Sequence, residues 1–378
     1  MIQTPNFPPP FPAEEYRSRL TALRGIMAER QIDLLIINQF EHINYFGGYW
    51  STGSMYHGLL VPLDGEPVAV FRALDVGVFN ELSWLSQCVP FGDDENPVKV
   101  IADTIVARGY GSSVVGLERD SNYLSVLRAQ ELEALLPDAT MADFSGVMWE
   151  MRQVKSHLEI DYLRVAAQIC DRATVAAFEA AKPGVNEREV FAAMTSEAWR
   201  CGADNGLVAV MSAGPRSGML HQPLGDRRLA DGDIVHVEPV PQFRGYTSRA
   251  QRPKSIGAPT DEQIRTAEKL IEIQDEQYRA MRPGAEAKEI DAIVREGVLS
   301  AGLRESYGNI TGYTVGCVAP PRLSDFTRVF RAGSNWRLQE NQTFHMYTSA
   351  RGMAFSETVV VTRDGGRRLT ALERKLFY

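Results

Sequence analysis

The first 145 or so residues alternate between short apolar runs and stretches in which apolar residues recur every three or four positions. Four of the apolar runs are typical of strands buried on both faces, at 33–38, 59–62, 68–71 and 114–118. The wider spacing predicts helices at 13–30, 73–85 and 97–107. Strands that alternate with helices indicate an α/β domain, which we place at residues 1–148.

Residues 149–378 contain one pattern twice. Ser156 and Glu159 form a capping box that predicts a helix over 157–181. A Pro-Gly turn ending at Gly184 follows this helix, and a matching turn ends at Gly284, 100 residues later. A second helix and then β-prone sequence follow each turn, with predicted strands at 207–211, 234–246, 311–318, 343–347 and 357–361. This domain is therefore predicted to be α+β, a duplicated α–α–β unit around one curved sheet.

The stretch 221–252 places polar side chains on a predicted hairpin. A strand over 234–243 is followed by the turn Arg244-Gly245 and by a second β-prone piece at 246–248. Glu238 and His236 have the same strand parity and should point to one face. The prolines at 239 and 241 cannot donate ladder hydrogen bonds, which predicts an edge strand or a bulge.

Composition excludes several classes of protein. A net charge of −8 and a pI near 5.4 argue against nucleic acid as a partner, because phosphate binding needs a basic face. The four cysteines lie far apart, which excludes a disulfide framework and a cysteine zinc site and favours buried free thiols. No apolar run reaches about 18 residues and no signal pattern opens the chain, so we expect a cytoplasmic protein that contacts no membrane.

Aromatic residues cluster between glycines and serines at 44–57, including Tyr49, Trp50 and Tyr56. This composition predicts a mobile loop that presents flat side chains. Two interpretations remain open: a binding loop, or aromatic residues that pack on another domain or subunit.

The order and spacing of these motifs resemble the creatinase/aminopeptidase P superfamily, which includes the M24 peptidases and has the pita-bread fold. The resemblance rests on the segments 151–160, 231–235, 244–248, 312–316 and 357–365, together with the two Pro-Gly turns. It implies an α/β N-terminal domain, a pita-bread C-terminal domain, and a homodimer in which the N-terminal domain of one subunit covers the site of the other. By that architecture Tyr49, Trp50, Tyr56 and Arg72 are expected to contact substrate.

Metallopeptidases of this superfamily hold two divalent ions with two aspartates, one histidine and two glutamates. Matching the motifs puts those five ligands, in chain order, at Glu238, Arg249, Tyr313, Met346 and either Ser356 or Glu357. A guanidinium cannot ligate a cation and repels one by about 4 kcal/mol at 4 Å and an effective dielectric of 20. We therefore expect no metal and no other cofactor.

Other branches of the superfamily, creatinase and ectoine hydrolase, resemble this sequence more closely. The catalytic histidine of creatinase falls on His221, while a carboxylate that binds the creatine guanidinium falls on Gln251. The resemblance thus implies a metal-independent hydrolase of a non-peptide C–N bond in a small amidine or guanidino compound. His221 would be general base and then acid.

The other assignments are Glu238 as nucleophile or orienting carboxylate, Glu357 as a further catalytic group, and Arg249, Tyr313 and His345 as substrate ligands. A buried ion pair between Glu238 and Arg249 is an equally weighted alternative to the catalytic role. For the whole protein, the alternatives are a diverged Xaa-Pro dipeptidase and a descendant that binds a ligand without catalysis.

Overall fold

The computed structural model describes residues 10–50, 55–204, 209–320 and 322–378. The chain divides into two compact units, Met1–Met151 and Arg152–Tyr378. The first contains the helices α1 (Ala13–Glu29), α2 (Phe40–Gly47), α3 (Val76–Leu82), α4 (Pro97–Ala107), α5 (Val126–Leu135) and α6 (Val147–Met151). Its strands are β1 (Leu34–Ile37), β2 (Gly58–Pro62), β3 (Val68–Arg72), β4 (Cys88–Phe91), β5 (Val114–Leu117) and β6 (Thr140–Asp143).

The six strands of the first unit form one mixed sheet in the order β4-β3-β2-β1-β5-β6. Every residue of β1 is buried, and β1 pairs antiparallel with β2 and parallel with β5. This position explains why residues 34–37 are all apolar, since both faces of the strand are covered. The predicted α/β character of this unit is confirmed.

The prediction of an aromatic loop over 44–57 was wrong at its start. Residues 44–47 form the last turn of α2, which ends at Gly48 with a φ of 70°. Phe46 is completely buried, and Tyr49 is 2 % exposed and packs against Phe71. The two glycines at 47 and 48 make the composition of this stretch typical of a loop, although the first belongs to the helix and the second caps it. Residues 51–54 of the predicted loop lie outside the described part of the chain.

The second unit consists of two halves with the same element order. The first half contains α7 (His157–Ala180), α8 (Glu187–Arg200), β7 (Ala209–Ala213), β8 (Ile234–Pro239), β9 (Gln242–Phe243), β10 (Tyr246–Thr247) and β11 (Arg252–Ser255). The second contains α9 (Asp261–Ala280), α10 (Ala287–Ser300), β12 (Gly312–Thr314), β13 (Val329–Phe330), β14 (Thr343–Ala350), β15 (Met353–Thr362) and β16 (Gly365–Arg368). The strand predicted over 311–318 is shorter in the structure, where it corresponds to β12.

The duplication extends to single hydrogen bonds. Gly184 and Gly284 have φ values of 81° and 88°, which only glycine adopts without strain. Arg228 donates to the carbonyl oxygen of Gly184 at 3.0 Å, and Arg337 donates to that of Gly284 at 2.7 Å. The two Pro-Gly turns are thus equivalent in sequence, in backbone conformation and in their arginine contacts.

The predicted hairpin is present, with a break after β8. Arg244 and Gly245 join β9 to β10 with φ values of 50° and 81°, as a two-residue type I′ turn requires. The prediction of an edge strand was wrong, because β8 lies in the middle of the sheet β11-β8-β7. The strand instead ends at Pro239, and pairing resumes in a second ladder at Gln242.

The strands of the second half form the sheet β13-β12-β14-β15-β16. An antiparallel bridge between Gln251 and Ser356 connects it to the sheet of the first half. The two helix pairs cover these sheets with apolar residues, which confirms the predicted pita-bread fold. None of the four cysteines forms a disulfide, and Cys170 and Cys317 are buried, whereas Cys88 and Cys201 are half-buried. Among the described residues, no helix is both long and apolar enough to cross a bilayer.

Candidate active site

A cleft of about 1030 Å³ opens in the second unit and is lined by both halves. The first half contributes a turn and residues from the hairpin region, and the second contributes β12, β14 and the loop after α10. Five residues predicted for the site line this cleft: His221, Glu238, Arg249, Tyr313 and His345. A larger groove, of about 1230 Å³, lies beside α9 and the C-terminal residues, and none of the predicted site residues lines it.

Glu238 lies at the centre of a buried hydrogen-bond network. One carboxylate oxygen accepts from the Arg249 guanidinium, and the other accepts from Nε2 of Gln251 at 2.9 Å. A second guanidinium nitrogen of Arg249 donates to the hydroxyl of Tyr313. Burial alone would lower the pKa of Arg249, but Glu238 opposes this effect and the net pKa rises. The ion pair that competed with a catalytic role for Glu238 is therefore formed.

The main chain around Arg249 is fixed by Thr358 of β15. The Arg249 amide donates to Oγ1 of Thr358 at 2.8 Å, and that hydroxyl donates back to the Arg249 carbonyl at 3.0 Å. The Ser248 hydroxyl also donates to Oγ1 of Thr358, at 2.8 Å. A residue of the second half thus fixes the main chain of Arg249, which belongs to the first half.

His345 on β14 lies beside Glu238 as a neutral ring. Its Nε2 is 2.6 Å from the Ser356 hydroxyl and 3.8 Å from Oε1 of Glu238. Burial, and then the positive charge of Arg249, hold the pKa of His345 well below its usual range. The ring also packs edge-on against Tyr313 and stacks on Tyr347, with centroids 5.0 and 5.4 Å apart. His345 is thus suited to hydrogen bonding rather than to carrying charge.

His221 is the solvent-exposed histidine of the cleft. It lies in a turn that is held near β7, because Nε2 of Gln222 donates to the Met211 carbonyl at 3.4 Å. His236, expected on the face of Glu238, is fully buried and does not line the cleft. Burial lowers the pKa of His236 to about 4. His221 therefore has the better access to solvent and substrate.

The residues at the expected metal positions do not fit a two-metal centre. Glu238 supplies a carboxylate there, but the Arg249 guanidinium is bonded to it. Tyr313 occupies the histidine position, and Met346 is buried in an apolar cluster. Within the described residues, no three His, Cys, Asp or Glu side chains come together as a metal site. A reaction in this cleft would therefore depend on the protein's own groups.

Glu357 lies away from the cleft, although its neighbour Ser356 contacts His345. Glu357 forms an ion pair with Arg252, in which Oε1 lies 2.7 Å from Nη2 and both side chains are fully buried. The carboxylate also accepts from Arg368 at 3.1 Å and from the Thr370 hydroxyl. Successive residues of a strand point to opposite faces. Ser356 thus contacts a residue of the cleft, and Glu357 does not.

The four residues predicted from the N-terminal domain occupy different environments within their own unit. Tyr49 and Tyr56 are buried, at 2 % and 4 % exposure. The Arg128 guanidinium lies 4.9 Å from the centre of the Tyr56 ring. Trp50 is half-buried, and Arg72 pairs with Asp93 through two hydrogen bonds.

Sequence reasoning missed several polar residues that line the cleft, among them Arg304, Asn309, Tyr347 and Arg351. Arg304 and Asn309 lie in the loop after α10, and Tyr347 lies on β14. The signal that could have pointed to them is the polar, glycine-containing segment 301–311, which leads directly into the glycine-rich strand β12. Such a loop between a helix and a central strand is a common location for binding residues.

Comparison with known proteins gives the context of this cleft. The family model for metallopeptidase family M24 matches residues 161–363, and that for the creatinase/prolidase N-terminal domain matches 19–154. Ectoine hydrolase from Halomonas elongata is 26 % identical and is aligned over 97 % of this chain and 98 % of its own. Xaa-Pro dipeptidase from Pyrococcus furiosus is also 26 % identical, over 95 % of this chain and 99 % of its own.

Solved structures confirm the fold. An X-Pro aminopeptidase from Thermotoga maritima superposes with a TM-score of 0.84 at 20 % identity, over 95 % of this chain and 99 % of that chain. The prolidase from Pyrococcus horikoshii gives 0.81 at 22 % identity, over 95 % of this chain and 100 % of that chain. The chain therefore belongs to metallopeptidase family M24, within the creatinase/aminopeptidase P superfamily of hydrolases.

Proposed function

We propose that this protein hydrolyses a non-peptide C–N bond in a small amidine or guanidino compound, such as ectoine or creatine, without a metal ion. The observation that carries the proposal is the buried contact between Arg249 and Glu238 at the position of the expected metal ligands. A fixed guanidinium there disfavours a divalent cation, yet an exposed histidine remains at the same cleft.

In this mechanism His221 moves the proton. Its imidazole takes a proton from water as the oxygen attacks the amidine carbon and the C–O bond forms. The same proton passes to the nitrogen that leaves when the C–N bond breaks. The second proton of the water reaches that nitrogen as the carbonyl forms. The products are an amide or urea and an amine, and the protons balance without any further reactant.

Glu238 has an orienting role in this proposal. Both of its oxygens accept hydrogen bonds, one from Arg249 and one from Gln251, which lowers the nucleophilicity of the carboxylate. Each oxygen has a second lone pair, so the carboxylate can still accept a hydrogen bond from an N–H of the amidine. His345, kept neutral by burial and by Arg249, can hydrogen-bond to the substrate without repelling it.

The test is turnover of ectoine, creatine and glycylproline by purified protein before and after dialysis against EDTA. We expect ectoine or creatine to be hydrolysed at a rate that EDTA leaves unchanged. His221→Ala should lower kcat by about 10²–10⁴-fold, the usual contribution of a general acid–base group. The matched control is His157→Ala, because His157 is exposed like His221. His57→Ala is not a suitable control, because the His57 ring is buried.

An Xaa-Pro dipeptidase is the second candidate, favoured by the relative from Pyrococcus furiosus at the same identity as the ectoine hydrolase. Glycylproline hydrolysis that EDTA abolishes and manganese restores would support it and contradict the proposal. If ectoine and creatine bind and raise the melting temperature but none of the three compounds is hydrolysed, the protein is a binding descendant of the fold.

A further inference from the structure

The charges that line the cleft do not cancel. Glu238 is its one carboxylate among the described lining residues, whereas three arginines line it: Arg249, Arg304 and Arg351. Arg249 neutralises Glu238, and Arg351 pairs with Glu262 outside the cleft and donates to the Gly302 carbonyl at 3.2 Å. One positive charge, that of Arg304, is left over.

Arg304 is held by uncharged groups. Its Nη1 donates to Oδ1 of Asn309 at 3.1 Å, and its guanidinium carbon lies 4.2 Å from the centre of the Tyr307 ring. No carboxylate within the described parts of the chain lies at ion-pairing distance from it. An amide oxygen and an aromatic ring fix the direction of a guanidinium but leave its charge free to bind an anion.

A series of contacts connects Arg304 to the candidate catalytic residues. Nδ2 of Asn309 donates to the Tyr347 hydroxyl at 3.4 Å, and the Tyr347 ring stacks on His345 at 5.4 Å. Nε2 of His345 is in turn 3.8 Å from Glu238. The unpaired cation and the carboxylate therefore lie at the two ends of one wall of the cleft, with aromatic rings between them.

We propose that Arg304 binds the carboxylate of the substrate, and that the cleft takes small zwitterions with a cationic head toward Glu238 and a carboxylate toward Arg304. This assignment rests on the proposed function for the cationic head, while the carboxylate subsite is independent of it. The expectation from sequence named Arg249, and not Arg304, as a substrate ligand. The Arg249 guanidinium already donates to Glu238 and Tyr313.

The first experiment compares Arg304→Gln with wild type on ectoine and on ectoine carboxamide. With ectoine, Arg304→Gln should raise KM by about 10- to 100-fold with kcat changed less than about threefold, since a charge-assisted hydrogen bond formed equally in the ground and transition states is lost. With the carboxamide, the KM of wild type should rise by the same factor. The KM of Arg304→Gln should be the same for the carboxamide as for ectoine. Arg304→Lys should recover part of the affinity.

Arg363→Gln is the matched control, because Arg363 is exposed and pairs with Glu340 at the surface. Its KM should equal that of wild type. An unchanged KM for ectoine in Arg304→Gln would overturn the carboxylate subsite and leave the proposed function intact. Because Arg304 is only partly buried, the melting temperature of Arg304→Gln should match that of wild type, which separates this effect from misfolding.

The second experiment needs no turnover. Phenylglyoxal should modify Arg304 in the free protein, as read by peptide mass spectrometry. Ectoine, creatine or glycylproline should protect it, and their carboxamides should not. Absence of labelling, or protection by none of the three carboxylates, would overturn the inference. Protection by glycylproline alone would keep the carboxylate subsite and reject the amidine substrates of the proposed function.

Discussion

Replacing Arg249 by methionine tests whether the Glu238 pair is as tightly coupled as the structure indicates. Both side chains are nearly inaccessible, at 3 % and 1 % exposure. At 4 Å and an effective dielectric of 20 their attraction is about 4 kcal/mol, and loss of one partner from a buried pair costs about 3–5 kcal/mol. Because about 1 kcal/mol shifts the melting temperature of a domain of this size by about 2–4 °C, Arg249→Met should lower it by about 10 °C.

The double variant Glu238→Gln/Arg249→Met removes the unpaired charge and should melt several degrees above Arg249→Met alone. Differential scanning calorimetry at pH 7 measures wild type and both variants, with Arg363→Met as the control because that surface pair contributes less than about 1 kcal/mol. Two results would contradict this prediction: Arg249→Met melting within 2 °C of wild type, or the double variant being the least stable. In either case Glu238 and Arg249 do not form a tightly coupled buried ion pair, and Arg249 would not prevent a metal ion from binding at Glu238.

Three further outcomes are expected. Glu357→Gln should lower the free energy of unfolding by about 3–5 kcal/mol, because the buried Arg252 loses its counter-charge, and kcat should stay within about threefold. A large loss of kcat at normal stability would instead indicate that Glu357 takes part in catalysis. The part of the stability that depends on His236 should be complete above pH 6.5 and fall by about 3 kcal/mol down to pH 4, because the unfolded chain protonates this histidine before the folded chain does. His236→Leu should remove this part, and no more, from an acid titration followed by urea unfolding. Ser156→Ala should cost about 1 kcal/mol in the same urea assay by removing the cap of α7, and an unchanged midpoint would contradict the capping box.

Periodicity and turn chemistry were sufficient to predict most of the second unit. The capping box at Ser156 begins α7, and the Pro-Gly turns end the first helix of each half, because these signals depend only on neighbouring residues. The turn at Arg244-Gly245 was predictable for the same reason. Where the structure departs from prediction, the cause is tertiary: β8 is a central strand because β7 and β11 pair with both of its edges.

The candidate site was less predictable than the fold. Strand parity separates Ser356 from Glu357, but it does not say which of the two faces the cleft. That choice depends on Arg252, whose long-range pairing draws Glu357 to the opposite side. Arg304 had no motif of its own, and it stands out only once the other cleft arginines are seen to have carboxylate partners.

The cleft is shared between the two equivalent halves of the second unit, and this has a consequence for folding. Glu238 and Arg249 come from the first half, while Tyr313 and His345 come from the second. Neither half alone can form the network, although each can form its helix pair from local contacts. The amide of Arg249, bonded to Thr358, should therefore exchange its hydrogen only when the two halves separate, whereas amides inside α7 can open locally. Exchange at this amide then measures the free energy of separating the two halves of the cleft.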